Sequence, residues 1–208
     1  MSGLSPAWSA PLTPGEGLAV LAGYCLGCLA TGYLLVRAAG SGDVRTAGSG
    51  RVGATNAGRV LGRRGFLLTL LGDMAKAAAA VALGLWLGGQ RGGWLALPAV
   101  VCGHIWPAPL GFRGGRGVAP AMGGLLALDP VLLLAIIGAG LLILFPLRRF
   151  MASGLLAVAL APLLALALGR PAPAVGVVTL LAALLWLAHR DHLRTAFIHK
   201  TGMGMPNR

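Results

Sequence analysis

Residues 48–59 read Gly48-Ser49-Gly50-Arg51-Val52-Gly53-Ala54-Thr55-Asn56-Ala57-Gly58-Arg59, a polar, glycine-dense segment between two long apolar runs. Glycine lets backbone N–H groups approach a ligand closely, and Ser49, Arg51, Thr55, Asn56 and Arg59 add donors. That composition suits an anion with several oxygens, and phosphate is the natural candidate. A second segment repeats the chemistry: Arg113 and Arg116 bracket Gly114-Gly115, presenting two guanidinium groups from a backbone that can come close to a ligand. A third polar stretch, His189-Arg190-Asp191-His192, follows the last apolar run. His189 and His192, three apart on one helical face, suit hydrogen bonding to a substrate or proton handling near neutral pH. The plainer readings are a basic loop beside anionic headgroups and a polar collar at a helix C-terminus. Glycine with arginine in two separate segments favours one anionic ligand held from both sides.

Other patterns are weaker. Gly48-x-Gly50-x-x-Gly53 matches the dinucleotide fingerprint, with Asp73 twenty residues beyond Gly53. That fingerprint needs a preceding strand, and the apolar run over 18–37 is far too long for one. Cys25-x-x-Cys28 sits among Leu, Ala and Gly with no second pair or nearby His, so both cysteines read as small packing residues. Asp73 and Lys76 share a helix face, and charges inside a membrane are costly unless paired or facing a polar cavity. They read as a structural pair or as a support for the first segment. His104, at the end of an apolar run, reads as a cap or interfacial hydrogen-bonding group. The five carboxylates are scattered without ligand spacing, so neither metal nor cofactor is expected.

The elements that must position these groups follow from composition. The chain has 208 residues, 57% of them hydrophobic and 11% charged, with a mean hydropathy of +0.82. Such a chain is an all-α integral membrane protein. Seventeen Lys and Arg against five Asp and Glu give +12, but the charges lie between long apolar runs, which points to a membrane face and excludes a nucleic-acid partner. The first seventeen residues carry Glu16 and no Lys or Arg, so the basic start of a signal peptide is missing and the first apolar run is expected to remain as a span.

The apolar periodicity predicts helices over 18–38, 66–88, 93–110, 118–128, 131–147, 151–168 and 174–188. That makes about seven crossings in a single membrane domain over 1–208, the one at 118–128 being short. Residues 39–64 and 111–117 are predicted cytoplasmic glycine/arginine loops, and 189–208 a cytoplasmic tail. With the N-terminus outside, fourteen basic residues fall on the inner side, from Arg37 to Arg208, against Arg91 and Arg170 outside. The C-terminus and all three polar segments then share the cytoplasmic face.

Gly48-Ser49-Gly50-x-x-Gly53-Ala54-Thr55-Asn56-x-x-Arg59, Asp73-x-x-Lys76 and Gly103-His104-Ile105-Trp106-Pro107 through Gly111-Phe112-Arg113-Gly114-Gly115-Arg116-Gly117-Val118-Ala119 closely resemble the PlsY family of bacterial membrane glycerol-3-phosphate acyltransferases. His189-Arg190-Asp191-His192-Leu193 resembles that family's third motif more loosely. The resemblance runs in order from about residue 18 to 200. It implies transfer of a fatty acyl group from acyl phosphate to the 1-hydroxyl of glycerol 3-phosphate, giving lysophosphatidic acid and phosphate at the inner membrane. It implies His189, Ser49 and Asn56 as catalytic residues. Ser49, Arg59, Arg113, Arg116, Gly50, Gly53 and Thr55 would bind phosphate, and Asp73, Lys76, His104 and His192 would support the site. Membrane lipid and the acyl-phosphate-forming enzyme are the expected neighbours.

The chain departs from the family pattern at several positions. Arg51-Val52 stand where the family usually has Asn-Pro, which predicts a looser, more basic first loop. Arg113 and Arg116 replace lysines, exchanging point charges for planar forks. His192 replaces an Asn, and a serine common near the start of the sixth predicted helix aligns with Ala152, beside Ser153. No Ser, Cys or Thr has a general-base dyad beside it, which agrees with direct transfer from a mixed anhydride. The H-x-x-x-x-D pattern of other glycerolipid acyltransferases is missing, since Pro109 and Arg194 stand five residues after His104 and His189. Two alternatives stay open from sequence: a catalytically impaired relative that binds lipid phosphate, and a transporter of a phosphorylated solute, for which only Asp73 and Lys76 speak.

Overall fold

The computed structural model describes residues 6–191, and these form α-helices, short 3-10 turns and connecting loops, with no strand among them. A four-residue turn of helix, α1 (Pro6–Ser9), precedes α2 (Pro14–Gly27). Thr13 starts α2 by a reciprocal cap: its Oγ1 accepts the Glu16 N–H at 3.2 Å, and Glu16 Oε2 accepts the Thr13 N–H at 2.8 Å. The helix predicted over 18–38 is broken. It leaves helical geometry after Gly27 and resumes as α3 (Thr31–Ala38). The break places carbonyls in an apolar environment, where each needs a partner, and Lys76 Nζ donates to Gly27 O at 3.0 Å and Leu29 O at 2.6 Å. Lys76, expected from sequence to pair with Asp73 or to support the first segment, therefore repairs the first span.

The 52-residue α4 (Ala54–Ile105) contains non-helical backbone at Gly62, Gly88 and Gly89. Gly88-Gly89 reverses the chain, so that 63–87 and 90–105 form a hairpin close enough for a Cβ on Gly84 to lie 2.6 Å from Gly92 O. These two arms are the helices predicted over 66–88 and 93–110, except that the second stops at Ile105. Pro107 disfavours helical geometry in the residue before it, and Trp106 accordingly has φ −126° and ψ 66°. The predicted loop over 39–64 is also shorter than expected. A 3-10 turn spans Val44–Thr46, and α4 already begins at Ala54; the left-handed Gly62 (φ 68°) is what interrupts the helical pattern in the sequence.

The remaining helices keep close to their predicted bounds: α5 (Val118–Leu128), α6 (Pro130–Leu147), α7 (Phe150–Ala167) and α8 (Ala172–Ala188). Asp129 caps α6 by accepting the Leu132 N–H at 3.1 Å. The α4 hairpin is the centre of the bundle, with α2 and α5 packed most extensively on it, while α6, α7 and α8 stack in sequence order. One buried cluster, including Leu97, Val101, Ile105, Leu125 and Leu185, joins α4, α5 and α8. A second, with Val36, Val44, Val52 and Ala57, lies under the first glycine-rich segment.

Four stretches are long and apolar enough to cross a membrane: Pro14–Ala38, Ala54–Leu110, Pro130–Leu147 and Phe150–Ala167; Val118–Leu128 and Ala172–Ala188 are shorter apolar helices. Large apolar side chains face outward, such as Leu142 and Phe145 on α6, as lipid solvent demands. The protein is a multi-pass integral membrane protein.

Candidate functional site

The first segment is organised around Asn56. This residue is 1% exposed, and its Nδ2 donates to Val44 O (2.8 Å), Ala47 O (2.9 Å) and Arg51 O (2.9 Å) while Oδ1 accepts the Ser49 N–H at 3.1 Å. Two N–H bonds serve three carbonyls, so one is shared. The amide is thus spent on the loop backbone. Gly53 is the N-cap of α4, which puts Thr55, Asn56 and Arg59 in its first turns. Gly48 has φ 53°, and a Cβ there would strike Asn56 Oδ1 and lie 3.0 Å from Cδ and Nη1 of Arg59, so the arginine lies across the glycine backbone. Ser49, Thr55 and Arg59 are exposed, and Gly50 and Gly53 are half-buried. Val52 is 1% exposed within the second core cluster, so the Arg51-Val52 pair anchors the loop and does not loosen it.

The second segment folds back on the end of α4, with Gly114 N–H donating to Ile105 O (3.1 Å) and Gly115 N–H to His104 O (3.0 Å). Any side chain on Gly115 would run into the His104 ring. Gly117, at φ 83°, leads into α5 against Leu185, Val101 and Ile105. Arg113 is exposed. Arg116 is half-buried, and its Nε has no hydrogen-bond partner among the described residues. Burial, reinforced by the neighbouring charge of Arg51 and then that of Arg59, lowers the Arg116 pKa, and Asp191 opposes this. Arg51, Arg59 and Arg116 therefore form one cationic cluster contributed by both segments.

The end of α8 closes the third side. Leu185 packs on Gly117, and one turn later His189 caps the helix at 2% exposure. His189 Nδ1 lies 2.7 Å from Leu185 O. A carbonyl only accepts, so Nδ1 carries a proton there. Two residues on, Asp191 Oδ2 accepts from Arg51 Nη2 at 2.9 Å and ties α8 to the first segment. His192 lies outside the described residues.

Beneath these segments lies a buried polar network. Lys76 Nζ, besides its two carbonyls, is 2.9 Å from Asp73 Oδ1 and 3.1 Å from His104 Nδ1, and Thr31 Oγ1 donates to Asp73 Oδ1 at 3.0 Å. His104 Nδ1 also lies 3.5 Å from Asp73 Oδ1, so the imidazole faces both members of the pair, while its Nε2 edge is turned toward Gly115. Asp73, Lys76 and His104 thus connect the break in the first span to the second glycine segment.

Two links lie outside the motifs, and Arg45 makes the first. Its Nε and Nη2 fork onto Asp43 (2.7 Å for the shortest contact), its Nη1 donates to Leu110 O at 3.2 Å, and it lies 5.2 Å from the Tyr33 ring centroid. Asp43-x-Arg45, with Asp43 capping a 3-10 turn, was the available signal. The Arg51–Asp191 pair, 140 residues apart, had none. Ser153 is buried, and its Oγ donates to Arg149 O at 3.0 Å. Among the described residues no three His, Cys, Asp or Glu side chains gather as a metal site.

This architecture has close relatives. The glycerol-3-phosphate acyltransferase family model matches residues 17–198. The glycerol-3-phosphate acyltransferase 1 of Desulfitobacterium hafniense is 49% identical over 176 residues, covering 84% of this chain and 87% of its own. The glycerol-3-phosphate acyltransferase of Nitrobacter winogradskyi is 42% identical over 190 residues, covering 91% and 96%. Crystal structures of PlsY, an integral membrane glycerol 3-phosphate acyltransferase, superpose with a TM-score of 0.78 for the glycerol 3-phosphate form and 0.77 for the lysophosphatidic acid form. Identities are 28% and 27%; each covers 93% of this chain and, respectively, 96% and 95% of the other. Sequence, motif order and helical architecture agree along nearly the whole chain, which belongs to the PlsY family of glycerol-3-phosphate acyltransferases.

Proposed function

We propose that the chain transfers a fatty acyl group from acyl phosphate to the 1-hydroxyl of glycerol 3-phosphate, at the cytoplasmic face of a bacterial inner membrane. The observation that carries this reading is that both glycine–arginine segments meet the end of α8, through Arg51 on Asp191 and Gly117 on Leu185, with Arg51 and Arg59 within electrostatic reach of Arg116. Arg59 and Arg116, with Arg113 and the Ser49 and Thr55 hydroxyls, clamp the phosphates, and the backbone at Gly50 and Gly53 approaches them closely. The substrate oxygen attacks the acyl carbon, the acyl–phosphate C–O bond breaks, and phosphate leaves with the bonding pair. Backbone N–H groups stabilise the oxyanion that develops. His189 Nε2 accepts a hydrogen bond from the attacking hydroxyl and orients it, or takes its proton and passes it to the departing phosphate.

Asn56 acts by holding the first segment in shape. Asp73, Lys76 and His104 act by holding the second; His192 is assigned to the same supporting role. The acyl chain is assigned to the apolar cleft lined by Val118, Met122, Leu125, Ile136 and Leu185. A transporter would lean on Asp73 and Lys76, but these are paired with each other and with backbone carbonyls.

The topology proposed with this function has seven crossings, formed by α2–α3, residues 63–87 and 90–105, and α5 to α8. It has the N-terminus outside and the C-terminus inside. The basic residues of the 39–64, 111–117 and 148–149 segments then face the cytoplasm, with Arg91 and Arg170 opposite.

The test is phosphate release by the purified protein given palmitoyl phosphate with and without glycerol 3-phosphate. Release that requires glycerol 3-phosphate and falls about 10- to 150-fold in Arg59→Ala, as expected for losing a charge-assisted contact, supports the reading. Equal release with and without glycerol 3-phosphate removes it.

A further inference from the structure

Asp191 carries the charge that belongs, during turnover, to the substrate. Its carboxylate reaches across from the end of α8 to Arg51 Nη2 at 2.9 Å, and Arg190 Nε of its own turn lies 3.8 Å away. Arg51 belongs to the first segment, its carbonyl held by Asn56 Nδ2 at 2.9 Å, and both it and Asp191 lie within electrostatic reach of Arg116. Three guanidinium groups brought together repel one another unless an anion lies among them. The resemblance puts Arg51 where the family pattern usually has Asn.

We infer that Asp191 is an internal counter-anion that competes with the substrate phosphate for Arg51, and so sets the affinity of the site for phosphate. The inference rests on the acyltransferase reading for the identity of the substrate. When glycerol 3-phosphate binds, its phosphate replaces the carboxylate at Arg51, and Asp191, already 59% exposed along its side chain, turns to water. When the phosphate-bearing product leaves, Asp191 returns and the cluster is again neutralised. An exposed ion pair of this kind is weak, so the competition shifts affinity by about two- to fivefold.

The test compares wild type, Asp191→Asn, Arg51→Gln and the double variant for KM toward glycerol 3-phosphate, and for the concentration of inorganic phosphate that half-protects the protein against thermal unfolding. Competition predicts that Asp191→Asn lowers both by about two- to fivefold, and that the same change in the Arg51→Gln background has a smaller effect. Unchanged or raised values in Asp191→Asn overturn the inference, because a carboxylate that merely preorganises Arg51 would weaken phosphate binding when removed. An equal factor in both backgrounds also overturns it. Should the wild type show no release dependent on glycerol 3-phosphate, the acyltransferase reading fails, and the phosphate-protection arm alone still decides on Asp191.

Discussion

Lys76→Met is the substitution whose effect is most closely bounded by the geometry. The ammonium holds Gly27 O, Leu29 O and the Asp73 carboxylate, and Asp73 is 1% exposed. Methionine fills a similar length without a donor, so it leaves a buried carboxylate and two carbonyls at a helix break. Removing one partner of a buried pair costs about 3–5 kcal/mol. Each orphaned carbonyl adds about 1–3 kcal/mol, partly recovered as water enters the break. The charge term alone, at the 2–4 °C per kcal/mol of a domain of about 200 residues, lowers the unfolding midpoint by about 6–20 °C. The assay is thermal unfolding of the purified protein in detergent at a fixed scan rate, with Asp73→Leu/Lys76→Met beside the single variant. The double variant removes the stranded carboxylate but not the orphaned carbonyls, so it recovers only part of the loss. A single variant within about 2 °C of wild type would refute the view that Lys76 repairs the first span.

Two further substitutions probe the segments directly. Asn56→Asp keeps size but replaces both donors by acceptors facing three carbonyls, so acyl transfer is expected to fall more than 100-fold with a lowered unfolding midpoint; transfer within threefold of wild type shows that the amide does not hold the loop. Gly115→Ala drives a methyl into the His104 ring and pushes the second segment outward, so KM for glycerol 3-phosphate rises about tenfold or more and the unfolding midpoint falls by about 2–12 °C. An unchanged KM in that variant shows that the seating of Gly115 on His104 does not position Arg116.

The composition of the chain made its class legible, and the residue patterns located the site, because both signals are local. Apolar runs of spanning length and glycine–arginine segments between them need no knowledge of tertiary contacts. Boundaries failed where a distant side chain overrides local pattern. No local rule breaks the run at 28–30, because what permits the break is Lys76, nearly fifty residues away. The segment at 54–61 looked like loop because Gly58 and Gly62 depress helix propensity, yet Gly53 and Asn56 start a helix there by fixing the loop that precedes it. Asn56 shows the same limit at the level of function. A motif marks it as part of the site, but only its four backbone bonds show that its amide is engaged by the loop.

These observations bear on why so polar a network sits inside an apolar protein. Irregular backbone near a membrane is tolerated only where buried groups satisfy its carbonyls and N–H groups. Close approach to phosphate requires irregular, glycine-rich backbone at 44–53 and 106–117, and the first span adds a third irregular stretch at 28–30. Lys76 satisfies 28–30, Asn56 satisfies 44–53, and 106–117 hydrogen-bonds back to the end of α4 against His104. Lys76 and His104 touch at 3.1 Å, so the repairs at 28–30 and 106–117 are one structure. Disturbing the first span should therefore be felt at Arg116, which no contact between α2 and the second segment's arginines would suggest. The measurement is the KM for glycerol 3-phosphate in Thr31→Val, which removes only the hydroxyl that steadies Asp73 at 3.0 Å. A severalfold rise with little change in the unfolding midpoint carries the argument. A fall in stability with KM unchanged means that the network supports the fold without positioning the site.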